Sequence, residues 1–586
     1  MNDAKLARST FAARLALARD QALDRFFARL SGFGRPVTAF VSQPEPKTIG
    51  SYARGHQLMA GNFRFAGDLI EAPAVSIWQI ENPSAMFSAQ LHGFAWLDDL
   101  AAVGNADARD LAQKWLIEWC DLYGRGLGDG WVPELAGRRI IRWINHALFL
   151  LQGLENTQSH RFFRNLARQT VFLRRRWHSA PAGLPRFESL TGLIYAGLAL
   201  EGSGHLVAPA TRAMALECDH RIDAEGGIPS RNPEELTETF TLLNWAASAL
   251  SEDGRMPRRE HLLAIERIAP TLRALRHSDG ALARFHGGGR GAEGRLDQAL
   301  AASGVRATAT TGLAMGYGRL SAGRTSIIVD ASAPPKGAHS FNAHASTLAF
   351  ELTSGRRPVI VNCGSGAGFG HEWRRAARTT PSHSTLAISG VSSARFADGD
   401  AADDMLLDAP RDVRVQQSAG LDGTTLMATH DGYSQSHGLL HVRRLDLSLD
   451  GRSLVGEDTL GALSDTDRIK FEALINQTGQ SGVGFEIRFH VHPDVEATLD
   501  LGGSAVSLVL KSGEVWVFRH TGTSKISVET SIYLEAGRLK PRATKQIVLS
   551  DRVMDYSNRV GWSLSRVQEG NRHIRDLAEG DPLALN

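Results

Sequence analysis

Imidazole, amide and imidazole groups at the ends of short β-like segments form the most chemically suggestive pattern in this chain of 586 residues. From Ala343 the sequence reads AHASTLAFELTSGRRPVIVNCGSG, and after a Gly/Trp/Arg-rich connection it continues RTTPSHSTLAISG. Alternating apolar segments over Ser346–Thr353 and Pro358–Cys363 flank the polar turn Ser354-Gly355-Arg356-Arg357, which predicts a β-hairpin. His344 precedes the first strand, Asn362 closes the second and His383 stands before a third. From those places two imidazoles and an amide oxygen could converge on one metal ion or one sugar; alternatively, both histidines hydrogen-bond loop backbone.

A second pattern is cationic. Over Arg138–Leu151 a helical wheel gathers Arg138, Arg139, Arg142, Asn145 and His146 in one sector, opposite Ile140, Ile144, Ala147, Leu148 and Leu151. Such a stripe is either a solvated basic face or a groove wall that grips carboxylate or sulfate through arginine. Trp131 and Trp143 could stack on a sugar ring there, or fill the core. Further along, Tyr317 opens a strand and is either an acid/base group or a wet strand-edge hydroxyl. His441 lies on an alternating run, and Glu486, Arg488, His490 and His492 share one face of another, to line a cleft or to face solvent.

The elements that must position these groups change character near residue 300. Before about Ile268, the segments Ala106–Leu122, Ile140–Leu154, Ser159–Ser179, Ser189–Leu200, Ala208–Asp223 and Glu234–Leu250 repeat apolar residues at helical spacing, separated by Gly/Pro breaks. Gly287-Gly288-Gly289-Arg290-Gly291 is the best linker; no strand leads into it and no Lys-Ser/Thr follows, which argues against a phosphate loop. Beyond it, segments such as Thr325–Asp330, Leu439–Leu449, Gly484–His492, Ala505–Leu510, Glu514–Arg519 and Lys545–Leu549 are short, alternating and β-branched. The expectation is a multidomain α+β chain: a helical domain over 1–290, an antiparallel β-sandwich over 300–551, and a polar tail over 552–586.

A net charge of +2 supplies no global field for nucleic acid, so an anionic ligand needs a local basic stripe. Three scattered cysteines, Cys120, Cys218 and Cys363, make a disulfide framework unexpected. The N-terminal stretch is amphipathic, with no secretory signal pattern, and no apolar run is long enough to span a bilayer, so the sequence by itself reads as cytoplasmic.

The order of these C-terminal motifs resembles the heparinase II/III-like polysaccharide lyases. The resemblance rests on His344, Ala349-Phe350-Glu351-Leu352, Gly355, Asn362-Cys363-Gly364 and His383-Ser384-Thr385. It implies an (α/α) toroid followed by a β-sandwich, an acidic polysaccharide as substrate, and a periplasmic or envelope location. In the helical half it places Arg186 and Glu188 of Leu184-Pro185-Arg186-Phe187-Glu188 where the family has an amide or imidazole and an acid. The loop from Asp223 to Pro233 resembles one that carries a His and a proton-transferring Tyr. Here those positions hold Ile228 and, nearby, Glu235, which leaves Arg231 as the loop's prominent polar group.

Lyases of this kind neutralise the C6 carboxylate of a uronate, remove the C5 proton and expel the C4 oxygen. For that chemistry the candidates in this chain are His146 or Tyr317 for proton transfer, Arg142, Arg186 and Arg231 for carboxylate binding with Glu188 orienting its neighbours, and Arg138, Asn145, Trp143, His441 and His490 for further substrate contacts. The elimination requires no cofactor, and a zinc or similar ion at His344, Asn362 and His383 would be structural. Two other readings stand beside it: a glycoside hydrolase using Glu188 with Asp223 or Glu235, and a non-catalytic glycan-binding protein.

Overall fold

A computed structural model describes residues 2–34, 37–42, 46–306, 312–397, 405–477, 479–500 and 502–568. The chain forms two units. The first comprises Met1–Ile228, Glu235–Ala269 and Ala292–Arg306; the second takes Pro229–Glu234, Pro270–Gly291 and the described chain from Ala307 onward. Gly287–Gly291 is therefore part of the second unit and not a linker: a Cβ on Gly288 would lie 2.5 Å from Asn232 Oδ1.

The first unit is helical, and its helices start where capping chemistry dictates. Ala106–Leu122 begins after Asn105, whose side chain accepts from Ala108 N at 2.8 Å. Pro133–Asn145 opens on proline, whose missing N–H is no loss in a first turn. The helix expected to run unbroken through Leu151 stops at His146 (φ −100°, ψ 20°), and Ala147–Leu151 restarts beyond it. Pro133–Asn145 crosses Leu184–Ala199 at glycines: a Cβ on Gly137 would stand 2.4 Å from Glu188 O, and one on Gly192 would stand 2.7 Å from Gly137 Cα. Trp96, Trp115, Trp119 and Trp143 are fully buried and fill the interior.

The second unit is the expected antiparallel sandwich. Among the described residues, two eight-stranded sheets pack through a shared apolar core that includes Leu352, Phe350, Phe489, Trp516 and Trp562. The hairpin is present, with strands Phe350–Ser354 and Arg357–Val361. Its first strand begins later than the alternation suggests, because Leu348 turns into a left-handed conformation (φ 63°). The expected polar tail needs correction: Ser557–Gln568 is a strand between Ser453–Gly461 and Val515–Thr521, and the remainder, 569–586, lies outside the described residues.

Candidate functional site

Arg138, Arg142 and His146 follow one another at i, i+4 and i+8, so they form a stripe along one helix face. Each is held by an acid. Arg138 Nε lies 2.5 Å from Glu188 Oε1, and Arg142 Nε lies 2.9 Å from Asp98 Oδ2. His146 Nε2 lies 2.9 Å from Asp98 Oδ1 and 3.1 Å from Thr48 Oγ1. The stripe is not sealed: Arg138 keeps 33% of its side-chain exposure, Arg142 13% and His146 11%.

The electrostatics separate the acids. Burial would raise the Asp98 carboxyl, but Arg142 and His146 beside it hold it below the ordinary range. Burial raises Glu188 in spite of Arg138. Asp99, whose Oδ1 accepts from Ser51 N at 2.7 Å, is pushed by burial up to about 6. A neutral His146 beside the Asp98 carboxylate would donate from Nε2 and offer a lone pair at Nδ1, which has no hydrogen bond among the described residues. Asp98, Asp99 and Thr48 were not among the residues singled out from the sequence. The signal for the two acids was the Asp98-Asp99 pair inside the otherwise apolar helix Ala95–Val103.

Other residues of the helix Pro133–Asn145 belong to the core. Arg139 is buried, its guanidinium carbon 4.3 Å from the centroid of Trp119 and its donors on Gln169 Oε1, His92 O and Gly130 O. Trp143, read as a sugar platform, is instead fully buried, stacked on Phe162 and edge-on to Trp119. Trp131 is likewise interior. Asn145 is buried, and neither its Nδ2 nor its Oδ1 has a partner among the described residues. Arg186 bonds Glu217 Oε2 at 3.1 Å, Ala180 O at 2.9 Å and His178 O at 3.3 Å, while Gly183 N donates to Glu217 Oε1 at 2.9 Å. It staples its own approach loop. Asp223 Oδ1 accepts from Gly227 N at 2.6 Å and closes the Gly226-Gly227 turn.

In the second unit Arg231 is saturated. It occupies a left-handed conformation (φ 50°) and donates to Met315 O (3.1 Å), Gly316 O (3.0 Å), Ser332 O (3.2 Å), Ala333 O (2.9 Å) and Asp330 Oδ1 (2.6 Å). Tyr317 lies under that guanidinium and donates its hydroxyl to Arg231 O at 2.5 Å. At 1% exposure, Tyr317 is neither a wet strand-edge group nor reachable as an acid/base, and burial pushes its hydroxyl far above the ordinary range. Asp330 also accepts from Ser346 Oγ at 2.7 Å and lies 3.4 Å from His286 Nε2. Burial would raise it, but Arg231 and His286 hold it well below the usual carboxylate range.

His344 and His383 do meet, with His344 Nδ1 3.0 Å from His383 Nε2. His383 Nδ1 donates to Thr379 O at 2.8 Å, so its Nε2 must accept and His344 must donate. The oxygen of Asn362 accepts from Ser384 N at 2.9 Å, and its buried Nδ2 has no partner among the described residues. These donors satisfy one another and do not form a ready three-ligand set for zinc, which would have to displace the imidazole–imidazole hydrogen bond. His441 is interior, its Nε2 2.7 Å from Asp458 Oδ1 and its Nδ1 3.1 Å from His430 Nε2. His490 is buried between Ser531 Oγ (2.8 Å) and Pro381 O (2.9 Å). Neither is a cleft-lining group, because burial makes each imidazole satisfy its nitrogens within the protein.

A helical unit rich in buried tryptophan, followed in sequence by a two-sheet antiparallel sandwich with this histidine-flanked hairpin, is the architecture of the heparinase-type lyase structures it resembles. Residues 305–563 match the family described as heparinase II/III-like, C-terminal. FtsZ-localized protein C of Caulobacter vibrioides is 27% identical over 545 residues, covering 91% of each chain. The fold of heparinase III superposes with a TM-score of 0.66 at 12% identity, covering 95% of this chain and 91% of that one. A heparan sulfate lyase HepC mutant from Pedobacter heparinus gives 0.57 at 14% identity, covering 97% and 91%. Among the described residues, no helix is long and apolar enough to cross a membrane.

Proposed function

We propose that this protein acts on a uronate-containing polysaccharide by β-elimination, with His146 as the proton acceptor. The observation that carries the proposal is the Asp98–His146 pair, 2.9 Å apart, with His146 Nδ1 free of hydrogen bonds among the described residues. In this reading the C5 proton passes to Nδ1, the C5–H electrons form the C4=C5 double bond, and the C4–O bond breaks. The departing oxygen takes a proton from the imidazolium or from water. Arg138, whose Nη groups make no hydrogen bond among the described residues, is the neutraliser of the uronate carboxylate; Arg142 fixes Asp98. No cofactor enters the reaction. A divalent ion at His344 and His383 would be structural, and metal analysis with a chelator melt tests for it: a lowered Tm supports it, an unchanged one removes it.

A second reading, glycan binding without cleavage, is supported by the loop that carries Ile228 and Glu235, and by Arg186, Arg231 and Tyr317 being engaged within the fold. From the likeness to a protein named for FtsZ localisation we also propose a division-site location. Ultraviolet absorbance with a panel of acidic glycans separates the readings: a rise from unsaturated uronate that is lost in His146→Ala supports elimination, and binding without a rise supports the second.

A further inference from the structure

The glycine run that reads as a linker forms one wall of a small pocket on the second unit. Arg284, Arg290, Ser365, Tyr533 and Glu535 also line it. Arg284 is the decisive group. Its side chain is 9% exposed, and burial opposes its charge while Tyr533, Glu351, Asp279 and Glu535 favour it; among the described residues its guanidinium donates to no protein acceptor, Glu351 Oε1 standing 3.8 Å from Nη1, beyond hydrogen-bond reach. Glu351 is already shared, its Oε2 accepting from Arg284 N at 3.1 Å and lying 3.3 Å from His277 Nε2.

A nearly buried guanidinium with unmet donors is costly unless something outside the protein meets them. Tyr533 is 2% exposed, its ring centroid 6.0 Å from the Arg284 guanidinium carbon, and its hydroxyl has no hydrogen-bond partner among the described residues. Ser365 likewise keeps a free hydroxyl, and Arg290 is exposed at the rim. The one lining carboxylate, Glu535, does not oppose an anion with its full charge, because its Oε2 is shared by Arg538 Nε and Arg542 Nη1, each at 3.3 Å. Nearby His492 is held neutral by burial, and the charges of Arg284, Arg542 and Arg290 add to that.

We propose that this pocket is an oxyanion-binding site, in which Arg284 and Arg290 supply charge-assisted donors and Tyr533 and Ser365 supply hydroxyls. It lies within the second unit and stands independently of the elimination reading. The ligand is a single oxyanion, either a carboxylate carried on a sugar or a free inorganic ion. The test is calorimetric titration of the full-length protein at low salt with glucuronate, inorganic sulfate and inorganic phosphate. Saturable binding of at least one is expected, weakened about tenfold or more in Arg284→Gln and by a smaller factor in Arg290→Gln and Tyr533→Phe. Glucuronate binding without sulfate or phosphate identifies a sugar-borne carboxylate; comparable binding of the inorganic ions identifies a general oxyanion site. Because Arg284 also contacts Glu351, the exposed-site variant Arg290→Gln and Tyr533→Phe, with melts matching the parent, are decisive. No saturable binding of any of the three anions, or binding unchanged in both variants, overturns the proposal.

Discussion

Two arginine–aspartate–histidine clusters in this protein use the same side chains to opposite ends. In the helical unit Arg142 and His146 are partly exposed around the buried Asp98, and among the described residues Arg142 Nη2 and His146 Nδ1 have no hydrogen-bond partner. In the sandwich unit Arg231, Asp330 and His286 are buried, and Arg231 spends its guanidinium on four backbone carbonyls and one carboxylate. Residue type therefore does not distinguish a site from a clasp; the balance of donors against local acceptors does. Arg231 holds the segment Pro229–Glu234 in the second unit, whereas the Arg138–His146 stripe has capacity left for a ligand.

Breaking the buried cluster has the largest expected effect. Asp330→Ala leaves the Arg231 charge unpaired and should destabilise the sandwich unit by about 3–5 kcal/mol in denaturant unfolding, whereas Asp98→Asn, beside an arginine that reaches water, should cost about 1–3 kcal/mol. Equal losses would erase the contrast. The helical cluster can be sharpened by pH. Asp99 has its folded pKa raised from 3.8 to about 6, so the folded state binds the proton more tightly than the unfolded chain. Stability from this group is complete below about pH 4 and is lost as pH rises through about 6, by roughly 3 kcal/mol. Asp99→Asn should flatten that slope in unfolding measurements from pH 4 to 7; an unchanged slope refutes the assignment.

A smaller effect tests how the stripe is positioned. Gly192→Ala forces a Cβ to 2.7 Å from Gly137 Cα, which should cost about 1–3 kcal/mol and separate Glu188 from Arg138, raising the KM for glycan along with the loss in Tm. Smallest is Trp143→Phe, expected to lower stability by about 1 kcal/mol while leaving glycan affinity unchanged, because the indole lies in the core and not on the stripe. A large affinity loss at unchanged Tm would return Trp143 to the sugar-binding surface.

The sandwich was largely legible because period-2 alternation survives in strands such as Leu439–Ser448 and Val483–Val491, and helix Ala106–Leu122 matched residue for residue. The break at His146 was not legible: no glycine or proline marks it, and apolar spacing continues into Ala147–Leu151. The last strand was hidden by its polar residues, since a strand with one face exposed shows few apolar positions. Within the site, a helical wheel placed Arg138, Arg142 and His146 together but could not supply Asp98, which arrives from another helix. It also grouped Arg139 with them, although this arginine turns inward against Trp119. Nothing in spacing distinguishes a free arginine from one saturated by carbonyls, which is why Arg186 and Arg231 read as ligand-binding groups.

The most direct test of the central claim is the initial rate of absorbance increase from unsaturated uronate, measured with the parent protein and His146→Ala on the same acidic glycans. The account predicts a measurable rate in the parent that falls by about 10²–10⁴-fold in the variant, with the variant's melt matching the parent. A rate that survives the substitution, or no rise with any glycan that binds, would contradict it.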